Sequence, residues 1–226
     1  MGMPEASIEA IISQAKTEER KHGWLAAADC YAMAASVVSA EDHFELAGLF
    51  ESEGYASYRS AMQAENNEQF KTRCGRTVKC YEKASQHYLK SDEPGQKPRM
   101  IRCAAMIAYM NYWLESDVAK KRVHANECWR LTKRALETFE EMGEVFEFRK
   151  TYNQLVDSAF FTFFLEWDFC VRERIAKEAM DFGERAIKML SKSADVYEQA
   201  KIHAKALVCI TVFAYNFLDV SDRERE

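Results

Sequence analysis

Val78-Lys-Cys-Tyr-Glu-Lys-Ala-Ser-Gln-His-Tyr88 has a counterpart fifty residues upstream, where Cys30-Tyr-Ala-Met-Ala34 repeats the Cys-Tyr-x-x-Ala of Cys80-Tyr-Glu-Lys-Ala84. Ala135 and Ala186 extend the series from Ala84 at steps of 51 and 51. A large apolar residue follows each alanine by four positions: Val38, Tyr88, Phe139 and Leu190. A small residue lets two helix backbones approach, and the larger one fills the groove beside it. A fixed period of about fifty residues with two helices in each period marks an α-solenoid.

Helical spacing extends outward from this column. Phe70, Cys74, Thr77, Tyr81, Ala84 and Tyr88 recur at steps of four and three, as do Ile175, Ala179, Phe182, Ala186 and Leu190. No period-two run bounded by turn residues occurs, so no strand is expected. Breaks fall at Gly23, around 39–41, 66–67, 92–98 and 116–117, at Gly143, and around 168–172 and 191–194. Ser39-Ala-Glu-Asp42 has the form of a capping box, and Pro98 suits a first helical turn. The pattern predicts one all-α domain over 1–226 with about nine helices. Repeat units lie roughly at 4–40, 41–91, 98–142 and 144–192, and a terminal helix at 195–218.

Composition agrees. Glycine and proline number 8 and 3 in 226 residues, where average usage is about 12% together, so a turn-rich β-sandwich or barrel is disfavoured. Hydrophobic residues make up 48% and charged ones 30%, as in an ordinary globular chain. Seven scattered cysteines, none in a Cys-x-x-Cys pair, suit a reducing compartment. The longest apolar stretch, 206–218, is too short for the roughly twenty residues a membrane span needs. The opening Met-Gly-Met-Pro-Glu-Ala-Ser lacks the charged and apolar regions of a signal peptide. A cytoplasmic protein without a membrane segment is the expectation.

Trp24-Leu-Ala-Ala-Ala-Asp-Cys-Tyr31 with Ala34, and Cys80-Tyr-Glu-Lys-Ala84 with Tyr88, resemble the helix signatures of the tetratricopeptide-repeat superfamily. The period is longer than that family's usual 34 residues. In this respect the chain looks more like the soluble NSF attachment proteins, a long-helix branch. The resemblance implies a right-handed superhelix of antiparallel helix pairs, whose first helices (here about 42–65, 98–115 and 144–167) line a concave surface that takes a peptide or a helix. It also implies that Arg102, Asn111, Arg149 and Asn153, on the comparable helices, would hold such a peptide, the guanidinium forks taking a carboxylate bidentately.

Catalytic chemistry is not written in the chain. Gly-x-Ser-x-Gly, Walker-type and Gly-x-Gly-x-x-Gly segments are all missing, and so are Glu-x-x-His and His-Glu-x-x-His. His124 and Cys128, at i and i+4, make half a metal site at best. Cys74 and Cys80 lie beside Arg76 and Lys79, but both read as packing residues. Close helix crossings account for Gly48, Gly54, Gly75 and Gly183 within helical patterns. The aromatic run Phe160, Phe161, Phe163, Phe164, Trp167 and Phe169 reads as core filling, with a ligand pocket or partner groove as the sharper alternative. No enzyme, cofactor or metal is expected.

Charge is more informative by position than in total. The chain carries 31 basic and 36 acidic residues, a net −5, with a pI of about 5.7. Residues 65–134 hold 15 basic and 8 acidic side chains, net +7, while 1–64 and 135–226 are each net −6. This basic middle, with Arg76, Lys79, Lys83 and Arg99 at its centre, either pairs with the acidic flanks or receives an acidic or phosphorylated protein or peptide. Nucleic acid is the weaker alternative, because stacking needs exposed rings and Tyr81, Tyr88, Tyr112 and Trp113 would have to supply them. The functional expectation is an interaction adaptor or scaffold; a ligand- or peptide-sensing regulatory domain is the alternative. Apolar residues on several faces of 195–218, with Phe213 and Phe217 prominent, predict cover from a second copy or a further domain.

Overall fold

The computed structural model describes residues 7–190. Among them stand eight α-helices and no strand: α1 (Ile8–Arg20), α2 (Trp24–Val37), α3 (His43–Ala61), α4 (Asn67–Lys90), α5 (Gln96–Leu114), α6 (Val118–Glu141), α7 (Val145–Leu165) and α8 (Phe169–Leu190). The fold is all-α, and these are the first eight of the nine helices the spacing predicts. The ninth, at 195–218, lies outside the described residues together with Phe213 and Phe217. No described helix is long and apolar enough to cross a membrane.

Short polar side chains start several helices by accepting an orphan N–H of the first turn. Ser7 caps α1 through Ala10 N–H, and Asn66 caps α4 through Gln69 N–H at 2.9 Å. The expected capping box at Ser39 is displaced by three residues. Asp42 is the N-cap of α3, accepting from Glu45 N–H at 3.1 Å, while Ser39 shapes the turn before it. Gly95, at φ 84°, reaches the left-handed region that opens α5, and Pro98 sits in its first turn.

The described residues form two compact units that part within α6, one up to His124 and one from Ala125. In the first, α3 and α4 run antiparallel. Arg73 near the start of α4 donates to the Ser60 carbonyl at the end of α3, and His87 near the end of α4 lies 3.2 Å (Nδ1 to Nδ1) from His43 at the start of α3. Burial, His43 and the flanking Lys90 and Lys83 hold the His87 imidazole below its ordinary pKa. Phe70, early on α4, stacks edge-on with Trp113 at the end of α5, so that pair is antiparallel too. Tyr58 of α3 meets Tyr109 of α5 at 5.7 Å between rings. Alternate helices therefore touch as well as consecutive ones, an arrangement compatible with a helical-repeat stack. In the second unit α7 packs on α8, Thr162 of α7 donates to the Ala125 carbonyl of α6, and Arg185 of α8 pairs with Glu140 of α6 at 2.8 Å.

The repeating alanines lie where the two-helix period puts them. Ala34, Ala84, Ala135 and Ala186 are all fully buried, as are Tyr88 and Phe139 four residues beyond two of them. Gly54 serves a close crossing: a Cβ there would come 2.9 Å from the Tyr81 ring. Gly48 and Gly75 do not, since a Cβ at either meets nothing within 4 Å. The aromatic run from the end of α7 into the start of α8 is only partly core. Phe163 is buried, but Phe164, Trp167 and Phe169 are exposed, Trp167 by 83%. The cause is the turn: Glu166 accepts the Trp167 and Asp168 N–H groups and ends α7 there. Asp168 then caps α8 through the N–H groups of Cys170 and Val171.

Candidate functional site

Helix α3 lies among α2, α4 and α5, so even its polar residues are buried, Glu51 and Glu53 included. A buried carboxylate requires a partner. Arg102 meets Glu51 at 2.6 Å, both side chains almost wholly buried, and the Tyr88 hydroxyl donates to the other Glu51 oxygen at 2.9 Å. Arg102 is therefore a core residue and not a fork presented to a peptide. Asn111, on the same helix, is half-buried, and its carbonyl accepts the Glu115 N–H that closes α5. In the second unit Asn153 is exposed on α7, and the Arg149 guanidinium lies 4.9 Å from the centre of the Phe146 ring.

The four residues of the expected basic patch have different surroundings. Arg76 bridges three helices, donating to Asp29 of α2 at 2.7 Å and to Glu53 of α3 at 3.0 Å. Arg99 packs over the Phe44 ring at 5.2 Å, half-buried. Lys79 and Lys83 are exposed, and with Lys71 and Lys90 they run along the outer face of α4, where Glu68 and Glu82 are the acidic residues. Lys83 lies 5.0 Å over Phe50.

The thiols beside this patch are packing residues. Burial raises Cys74 to about 11 and Cys80 to about 12. Cys128, wholly buried on α6, is pushed to about 12 by burial. Among the described residues no three His, Cys, Asp or Glu side chains converge as a metal site would require.

A cleft on the second unit escaped sequence reasoning. It encloses about 250 Å³ between Asn126, Trp129, Arg130 and Lys133 of α6 and Val171, Arg174, Ile175 and Glu178 of α8. Lys133 pairs with Glu178 across it, its ammonium 5.2 Å over the Trp129 ring. Arg130 is forked onto Glu127, one turn earlier on its own helix, at 2.9 and 2.7 Å. The usable signal was the spacing, since 126, 130 and 133 share one helical face, as do 171, 174, 175 and 178. The sequence does not state that these two faces meet.

No protein-family model matches the chain, and no curated protein matches its sequence. Among solved structures, a chain from the computational design of self-assembling cyclic protein homooligomers is similar at 13% identity and a TM-score of 0.36, over 94% of this chain and 89% of that one.

Proposed function

We propose that the chain is a non-enzymatic interaction module, an adaptor of the tetratricopeptide-like kind, which receives an acidic segment of a partner protein. The supporting observation is the division of labour among its cations. Arg76 and Arg102 are paired with carboxylates of the first unit, the buried Glu53 and Glu51 and the exposed Asp29, whereas Lys71, Lys79, Lys83 and Lys90 stand exposed in a row along α4. A row of flexible ammonium groups on a rigid helix favours an extended acidic chain over one fixed small ligand. The likeness to the attachment proteins and a cytoplasmic location belong to this reading. The cleft between α6 and α8, large enough for a small ligand or a single side chain, favours a second reading, a ligand-sensing regulatory domain.

Binding of a fluorescent oligoglutamate peptide tests the proposal. Screening shortens from about 10 Å at 0.1 M salt to about 3 Å at 1 M, so affinity should fall steeply over that range. The double substitution Lys79→Glu with Lys83→Glu should weaken binding by at least about tenfold at 0.1 M salt, since each tenfold is only about 1.4 kcal/mol. An affinity indifferent to both would remove α4 as the docking face.

A further inference from the structure

The cleft between α6 and α8 gathers three cations around one carboxylate: Arg130, Lys133 and Arg174 against Glu178. Two of the cations are already engaged, Arg130 by Glu127 and Lys133 by Glu178. Arg174 is exposed and has neither a carboxylate nor a hydrogen-bond acceptor among the described residues. The Asn126 amide lines the same opening, and Trp129, Val171 and Ile175 give it an apolar wall. This combination of clustered donors, one unanswered guanidinium and a short apolar surface suits a small anion carried on a carbon body.

The charges decide which anion. A carboxylate would bring only the charge of the Glu178 group it must displace from Lys133, so the exchange gains it nothing. A phosphate monoester brings about −1.5 to −2 charges at neutral pH and three acceptor oxygens. It can therefore engage Arg174 and Lys133 together, with one oxygen left for the outer edge of Arg130, whose fork onto Glu127 need not break. Arginine suits such a group because its planar fork donates two parallel hydrogen bonds.

We propose that the cleft between α6 and α8 is a binding site for a phosphomonoester, with Arg174 and Lys133 as its principal ligands and Glu178 as the internal carboxylate that the phosphate displaces. The ester's carbon body rests on Val171, Ile175 and the edge of Trp129. The inference rests on the reading of an anionic partner and names the group such a partner carries. The two fail separately, because Lys79→Glu with Lys83→Glu leaves this cleft intact and Arg174→Gln leaves the α4 lysines intact.

Trp129 is a built-in reporter, since Lys133 lies over its ring. The full chain, labelled with ¹⁵N in its tryptophan indoles and assigned with Trp129→Phe, is titrated with phosphoserine, inorganic phosphate and acetate at matched ionic strength. Phosphoserine should shift the Trp129 indole resonance saturably, at least about tenfold more tightly than acetate and measurably more tightly than inorganic phosphate. Arg174→Gln, at an exposed position, should weaken that binding by about tenfold or more. Glu178→Gln should strengthen it, because the internal competitor is gone. Equal affinity for phosphoserine and acetate would overturn the proposal. Inorganic phosphate binding as tightly as phosphoserine would make the cleft a free-anion site and overturn the ester assignment. A Glu178→Gln variant that binds no more tightly would overturn the displacement.

Discussion

Arg102 and Glu51 show how one residue can be read correctly as chemistry and wrongly as location. The guanidinium does take a carboxylate, as the family resemblance implies, but the carboxylate belongs to its own fold. Taking both charges out of water is costly, and only the close contact, with Tyr88 donating to the second carboxylate oxygen, offsets it. Removing one partner strands the other. Arg102→Met should therefore destabilise the chain by about 3–5 kcal/mol, and Arg102→Met combined with Glu51→Gln by clearly less, because no buried charge remains. Chemical denaturation of the two variants beside the parent checks this, and equal losses would mean that the pair is not coupled. The pairing was half legible beforehand. Glu51 and Arg102 stand 51 positions apart, as do Tyr58 and Tyr109, and that is the step between successive alanines of the repeat. Residues one period apart become neighbours when repeats stack, so the column that gave the fold also held the address of Arg102. What it lacked was the burial of α3, which depends on helices on either side of it.

At the scale of the element, sequence spacing located all eight described helices but gave the glycines a single explanation where two are needed. Gly54 is fixed by tertiary contact, with the Tyr81 ring and the Cys80 Cβ in the place of its missing side chain. Gly48 and Gly75 face open space on helices of the same unit. Glycine within a helix costs about 0.5–1 kcal/mol relative to alanine through backbone entropy. Gly48→Ala and Gly75→Ala should each raise stability by about that amount, while Gly54→Ala should lower it by about 1–3 kcal/mol through overpacking. Thermal melts separate the two signs, and a Gly54→Ala variant as stable as the parent would show that Tyr81 moves aside freely. The α7–α8 turn is the same lesson reversed. Six aromatic residues in ten look like a buried helix, yet Glu166 and Asp168 close one helix and open the next within three positions, leaving Trp167 outside. Local hydrogen bonding at a turn outweighed composition there. The cleft between α6 and α8 was illegible for a different reason: each face is visible in the sequence, and their meeting is a fact of packing between helices that are not consecutive.

Over the whole chain, the basic middle and acidic flanks divide into an internal and an external account of charge. Arg76 and Arg102 of the middle are matched by Asp29, Glu53 and Glu51 of the first flank, and Lys133 by Glu178 of the last. Much of the +7 over residues 65–134 is thus neutralised inside the two units, and the α4 row retains four exposed lysines with Glu68 and Glu82 among them. Duplex DNA presents one charge per about 1.7 Å of its axis and rewards many simultaneous phosphate contacts; four lysines along one helix offer few. Single-stranded RNA on this row would need rings beside it to stack on, but Tyr81 and Tyr88 of α4 are buried in the core of the first unit. The rings of Tyr112 and Trp113 are half-buried against each other at 5.3 Å between centroids. An acidic peptide asks for less, since its charges can follow a single helix and bend around Glu82. Fluorescence anisotropy at physiological salt should accordingly register the oligoglutamate peptide and give no measurable binding for duplex DNA or single-stranded RNA of similar length. RNA binding as tight as the peptide would mean that the α4 row is an indiscriminate cationic surface, and the case for a protein partner would have to be rebuilt on the cleft of the second unit.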